Sequence, residues 1–195
     1  MSAPGNGAAE PSDILATPRV TSFTRTAVLL HWLIALLILC GFTLGAYMVD
    51  LHASPTKVRL VNYHKWIGIT VLALVLVRSV WRLTHMPPPE EPMPRWQLIA
   101  ARATHYLMYA LMLATPMLGW MTSSASGFPV VYLKLWQLPD LVHKNRDLAK
   151  VLAEIHGLLA WTLCWIVVLH VAAALKHHFI DRDATLRRML AWRRP

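Results

Sequence analysis

The sequence predicts an all-α fold: an integral membrane four-helix bundle with both termini cytoplasmic and a short amphipathic C-terminal tail. Three observations lead there. Hydrophobic residues make up 56% of the chain and its mean hydropathy is positive, which is a membrane-protein composition. Four apolar runs stand out, at about residues 27–47, 64–83, 104–122 and 151–175. Each is close to or above the ~20 residues that carry a helix across a hydrocarbon core roughly 30 Å thick. In lipid, backbone groups must bond internally, so such runs are expected as helices. Lys and Arg supply the third observation. The face with the termini and the loop after helix two holds twelve, Arg19, Arg25, Arg78, Arg82, Arg95, Arg102, Lys176, Arg182, Arg187, Arg188, Arg193 and Arg194. The other face holds seven, Lys57, Arg59, Lys65, Lys134, Lys144, Arg146 and Lys150, so the richer face is placed in the cytoplasm.

Taken in order, residues 1–24 are expected as a flexible cytoplasmic tail, because their start is small, polar and Pro-containing. The run from Ala27 is too long for a signal-peptide core and lacks a clear small-residue cleavage site, so it is read as an uncleaved first span. Residues 25–181 then form the membrane domain. Residues 182–195 form a basic cytoplasmic tail in which Leu186, Met189, Leu190 and Trp192 alternate with arginines, as in a helix lying on an anionic leaflet. Cys40 and Cys164 fall mid-span and are expected as small buried side chains. No Cys-x-x-Cys-His occurs, which excludes covalent c-type haem attachment.

Ten histidines must be sorted by depth. His52, His85, His143, His177 and His178 fall in loops or at helix ends and are expected in solvent or at the interface. His31, His64, His105, His156 and His170 lie in or at the mouths of the spans, where an ionisable side chain is a functional candidate. His156 and His170 are fourteen residues apart, so they share nearly one helix face and stand about 21 Å apart along the axis. One ion cannot bind both. Each therefore belongs to its own site and needs a second ligand from another helix. Topology puts His31 at the level of His170 and His64 at the level of His156. Two neutral imidazoles complete six-coordinate haem iron, and bundle cores are a usual place for such a cofactor. Four residues after each histidine comes a small one, Ala35, Gly68, Ala160 and Ala174, which leaves room for a macrocycle edge. Gly41 and Gly45 make a Gly-x-x-x-Gly that is expected to serve close helix contact. Arg78 lies fourteen residues after His64, at the cytoplasmic level, and is expected to pair with carboxylates of the cytoplasmic haem. Arg82 is expected to reach the headgroups. His105 has no obvious partner at its depth, and either a cofactor hydrogen bond or a structural role suits it. A non-haem metal transporter is the competing reading of these histidines.

The motifs "LLHW" at 29–32, "YHKWIG" at 63–68, "LVRSVWRL" at 76–83 and "SGFPVVYLKLWQLP" at 126–139, with the two histidines of helix four, resemble the prokaryotic cytochrome b561 family of dihaem membrane proteins. The resemblance covers about residues 25–181. It implies a bacterial inner-membrane protein with two haem b groups held by His31, His64, His156 and His170. It also implies electron transfer to ubiquinone, and in some members superoxide is the donor.

No flavin, nucleotide or iron–sulfur signature appears, so donor and acceptor come from outside the chain. A quinone dissolved in the membrane suits the role of acceptor. Against its seven cations the outer face carries only Asp50, Asp140, Asp147 and Glu154, so its mouth is expected to draw in superoxide or an acidic periplasmic electron donor. No nucleic-acid partner is expected. A cytochrome subunit linking quinone to a periplasmic redox protein or dehydrogenase is the alternative reading.

Overall fold

The computed structural model describes residues 22–190. Four long helices account for most of them: α1 (Arg25–Val49), α2 (Pro55–Thr84), α3 (Arg95–Ser126) and α4 (Arg146–Lys176). A two-stranded antiparallel hairpin, β1 (Val131–Tyr132) and β2 (Trp136–Gln137), stands between α3 and α4, and a short helix, α5 (Thr185–Leu190), follows α4.

The helix starts are written locally. Thr24 Oγ1 accepts from the Ala27 amide at 3.3 Å to begin α1, and Ser54 Oγ accepts from the Lys57 amide at 3.2 Å with Pro55 in the first turn of α2. Asn145 Oδ1 accepts from the amides of both Asp147 and Leu148 at 3.0 Å to begin α4. At the end of α3, Gly127 adopts φ 76°, a left-handed conformation suited to glycine.

Helices α1, α2 and α4 are long and apolar enough to cross a membrane, the last as one stretch Arg146–Asp181. The third is equally long but less apolar. With the end of the bundle where α1 starts and α4 finishes called inner and the opposite end outer, the inner end of α3 carries Arg95, Arg102 and His105, and its outer end runs through Thr122, Ser123, Ser124 and Ser126. Those hydroxyls are absorbed locally: Thr122, Ser124 and Ser126 each donate to the carbonyl one turn back, and Ser123 donates to Phe128.

Helix α1 packs on α2, α2 on α3 and α3 on α4. Ile34, Val71 and Val75 form the core of the first three, with Tyr109 and Met112 against it. Ala125, Ala149 and Leu152 join α3 to α4 near the outer end. Leu36, Leu39, Leu158, Trp165 and Leu169 are exposed, as lipid-facing side chains are. Helices α1 and α4 reach each other through side chains such as Phe42 and Trp161, whose ring centres are 4.9 Å apart. Cys40 is exposed and Cys164 partly buried, and both are free thiols. The expectation of two buried cysteines is thus corrected for Cys40, which points off the surface of α1.

At the inner end the chain folds back on itself. After a π-helical turn, His177–Asp181, α5 returns toward α1 and the α2–α3 loop. The Trp32 indole N–H donates to the Met189 carbonyl at 2.9 Å. Arg188 donates to the Pro89 carbonyl at 2.7 Å and pairs with Glu91 at 2.6 Å. The described part of the expected tail is therefore docked on protein, and Arg188 is committed to Glu91 rather than to a leaflet. The remaining residues of that tail, Trp192 among them, and most of the expected N-terminal tail lie outside the described residues.

Candidate haem sites

Two histidine pairs lie across the helices at two depths. Near the outer end the rings of His64 on α2 and His156 on α4 have centres 6.0 Å apart and planes at 88°. Near the inner end His31 on α1 and His170 on α4 have centres 6.3 Å apart and planes at 68°. Two metal–imidazole bonds of about 2 Å, each with roughly another ångström from nitrogen to ring centre, add up to about 6 Å. Both pairs have that separation.

The outer pair is also set for ligation by its supporting contacts. His64 Nδ1 lies 2.9 Å from the Gly41 carbonyl, and His156 Nδ1 lies 2.8 Å from the Thr115 carbonyl. A carbonyl can only accept, so each Nδ1 carries a proton, which leaves Nε2 as the nitrogen through which each ring would ligate a metal. Glycines make the seats. A Cβ on Gly45 would sit 3.0 Å from His64 Cε1, and a Cβ on Gly119 would sit 3.0 Å from His156 Cε1. The Gly41–Gly45 pair, expected to serve helix contact, thus gives His64 both its acceptor and its space, with Gly41 also close to Ile67. A narrow cleft beside these rings is lined by Gly68, Pro116, Gly119, Val130 and Lys65. The hairpin roofs this end: Trp66 Nε1 donates to the Val131 carbonyl at 2.7 Å, Lys65 Nζ to Phe128 at 3.0 Å, and Trp120 Nε1 to Pro139 at 3.1 Å.

The inner end holds a third ring. His105 on α3 stands 5.5 Å from His170, centre to centre, at 67°. It does have a partner at its depth, which the sequence did not reveal because the packing of α3 against α4 is set only by tertiary structure. Arg78 ties three helices here, with Nε donating to the Tyr109 hydroxyl at 3.1 Å and NH1 to the Ala27 carbonyl at 2.7 Å. Two terminal histidines also depart from the solvated reading. The His177 side chain is only 15% exposed and lies 2.6 Å from Asp183 and 3.1 Å from Asp181, and His178 Nδ1 is buried. Burial pushes the Asp183 carboxyl up, but hydrogen bonds from Thr185 and His177 outweigh this and hold it below its usual value.

Sequence reasoning missed Gly119, the Thr115 carbonyl and Tyr109. The one available signal was Pro116 and Gly119 together inside an otherwise helical run.

Paired imidazoles at metal-bridging distance, with Nδ1 fixed in the outer pair and no covalent attachment motif, fit non-covalent haem. Comparison with known proteins leads to the same class. Residues 22–192 match the family model described as prokaryotic cytochrome b561. The chain is 34% identical over 186 residues to "Cytochrome b561 homolog 2" of Escherichia coli, covering 87% of this chain and 95% of that protein. It is 29% identical to "Probable superoxide oxidase CybB" of Yersinia pestis, covering 85% and 93%, and 29% identical to "Cytochrome b562" of Cereibacter sphaeroides, covering 86% and 94%. Its several membrane-crossing helices make it a multi-pass protein of the bacterial inner membrane, and its class works in membrane electron transfer with b-type haem. A match that runs almost from one end of the described helices to the other settles the relationship: this chain belongs to the prokaryotic cytochrome b561 family.

Proposed function

We propose that the protein carries two b-type haems, held by His31 with His170 and by His64 with His156, and that it oxidises superoxide at the periplasmic face and reduces ubiquinone. The observation that carries this reading is the pair of facing imidazoles repeated at two depths of α4, at 6.0 and 6.3 Å. On this reading α3 is the fourth span, both termini are cytoplasmic and residues 25–181 are the dihaem domain. Haem bound at the two sites supplies one-electron redox chemistry with little rearrangement around it. The chain's own residues do the rest. His64 and His156 are oriented through Nδ1 by the Gly41 and Thr115 carbonyls, leaving Nε2 to ligate. Lys57 and Lys65 donate to the uncharged carbonyls of Leu51 and Phe128, so their positive charge stays available to attract an anion. Arg78, at the inner level, keeps guanidinium N–H groups beyond those given to Tyr109 and Ala27 for a carboxylate of the inner haem. Two superoxide ions give up one electron each and leave as dioxygen. One quinone takes both electrons and two protons and leaves as quinol.

The test is stopped-flow mixing of the purified haem-loaded protein with potassium superoxide, following the haem absorbance with and without decylubiquinone. Haem reduction that is fast, and reversed by quinone, is expected. Protein that superoxide fails to reduce would overturn superoxide as donor.

One observation favours a second reading, a cytochrome that links quinone to a periplasmic redox protein or dehydrogenase. The outer hairpin presents exposed Leu133, Leu135 and Trp136 beside Lys134, which is an apolar tip with a cation, suited to an acidic protein surface. Co-purification of a soluble redox protein, lost on Trp136→Ser, would favour it.

A further inference from the structure

The segment between α3 and α4 does not stay above the outer end of the bundle. Its hydrogen bonds record its depth. Along α2, which runs inward, Lys65 Nζ donates to the Phe128 carbonyl at 3.0 Å, Trp66 Nε1 to the Val131 carbonyl at 2.7 Å, and Thr70 Oγ1 lies 2.9 Å from the Tyr132 hydroxyl. From Lys65 to Thr70 is five residues, about 7.5 Å of descent. Along α3, which runs outward, the returning chain meets Trp120 at Pro139, Ser124 at Leu141 and Ala125 at Asn145. It climbs back by the same five residues. Residues 128–145 therefore dip down the flank of α2 and α3 and return, with the turn between β1 and β2 at the bottom.

The charges of α2 say how far down that is. Residues 66–77, between Lys65 and Arg78, carry none. Centred on that stretch, a hydrocarbon core roughly 30 Å thick takes in about 20 residues, from about residue 62 to about residue 81. Trp66 and Thr70 lie within it, and the hairpin is hydrogen-bonded to both. Backbone groups at such a depth must be bonded. Leu138 donates to the Val130 carbonyl and Leu135 to the Tyr132 carbonyl, each at 2.9 Å, β1 pairs with β2, and Pro129 and Pro139 have no N–H to satisfy. The turn itself points the same way. Leu133 and Lys134 stand at φ 49° and 62°, left-handed values that favour glycine or asparagine. A turn in water has little reason to keep a leucine there. Leu135 is 87% exposed and Trp136 73%, beside exposed Leu133, so the tip is an open and largely apolar surface.

From this we infer that the turn 133–136 is seated in the leaflet at the outer end and that its exposed face is covered by phospholipid acyl chains, an inference that rests on the four-span reading proposed above. Leu133 and Leu135 meet the chains, the Trp136 indole suits the headgroup boundary, and Lys134 reaches back to lipid phosphates along its own stem. The acidic protein of the alternative reading would need this face in water. Seated in lipid, the hairpin also closes the acyl side of the outer histidine cleft, which Val130 lines together with His64 and His156.

The experiment places a nitroxide on Leu135→Cys, with Cys40→Ser and Cys164→Ser removing the native thiols, in haem-loaded protein in nanodiscs of phosphatidylethanolamine and phosphatidylglycerol. Power-saturation EPR compares collisions with oxygen, which concentrates among acyl chains, and with a water-soluble nickel chelate. Oxygen should outweigh nickel several-fold at position 135. Nickel should dominate for a label on Asp147→Cys, at the outer start of α4, where the native side chain is 94% exposed. An unshifted haem spectrum shows that each variant is folded. Nickel access at position 135 equal to that at 147 puts the hairpin in water and overturns the inference in favour of a soluble partner. Shielding of 147 as well as 135 overturns the four-span reading, and the inference with it. The unaltered chain supplies an independent measurement, since phospholipid with a diazirine in its acyl chain should cross-link within residues 131–137. Cross-links confined to the helices overturn the inference.

Discussion

Gly119→Ala is the sharpest perturbation of the outer site, because it adds one methyl group at a known place. The new Cβ would stand 3.0 Å from His156 Cε1 and 3.2 Å from its Nδ1. Carbon atoms sit best about 3.5–4.0 Å apart, so the ring must withdraw by roughly half an ångström. The movement pulls Nδ1 from the Thr115 carbonyl, now 2.8 Å away. A hydrogen bond of this kind contributes about 1 kcal/mol, and overpacking a filled site costs about 1–3 kcal/mol. Better helix propensity returns about 1 kcal/mol. The balance is a loss of about 1–3 kcal/mol in the seating of His156, or about 10–100-fold in its hold on iron, in the range seen when ligand-orienting contacts are removed. Gly157→Ala is the matched control. It lies next to His156, yet its added Cβ would meet nothing within 4 Å, so it gains the propensity without the clash. Haem per chain and a redox titration of both variants give the comparison. Gly119→Ala should lose or shift one redox component and Gly157→Ala neither. Identical titrations for the two would refute the claim that Gly119 shapes the seat of His156.

The other predictions are simpler. His31→Ala or His170→Ala should remove one redox component, and His64→Ala or His156→Ala the other; loss of the same component by His31→Ala and His64→Ala would break the pairing. Reduction by superoxide should slow steeply with salt as the Debye length contracts from about 30 Å at 0.01 M to about 8 Å at 0.15 M. Charge reversal at Lys57 and Lys65 should slow it too with both haem bands unchanged, and a rate indifferent to salt and reversal would assign these cations to headgroups or topology. Glu91→Gln removes the 2.6 Å pair with Arg188, whose side chains are 19% and 21% exposed, and leaves both trypsin sites of α5, Arg187 and Arg188, in place, so trypsin should cut within α5 several-fold faster, as loss of about 1–2 kcal/mol implies. Because the Asp183 carboxyl is held below its usual value, its contribution is present above the unfolded pKa of about 3.9 and lost as pH falls through the folded one. Protection factors of the amides around α5, corrected for intrinsic exchange, should therefore be flat from neutral pH to about pH 5 and fall only in stronger acid.

Much of this molecule is local in origin, and the sequence by itself determined that part. The helix starts at Thr24, Ser54 and Asn145 rest on side chains bonding amides two or three residues away, and lipid-spanning runs follow from composition because bare backbone is excluded from hydrocarbon. The spacing of His156 and His170 belongs to one rigid helix, so their shared face and separate depths were legible before any packing was known. Tertiary structure decided what crosses between helices. Gly119 and Gly45 matter only because another helix brings an imidazole to within a methyl's width. The Thr115 carbonyl becomes an acceptor only when α4 lies beside α3, and His105 meets His170 only through the angle at which those helices pack. Arg188 shows the same limit from the other side. An amphipathic run of six residues cannot tell lipid from protein as its apolar surface, and the choice fell to Glu91 and Pro89, about a hundred residues earlier, once the chain had turned back after α4.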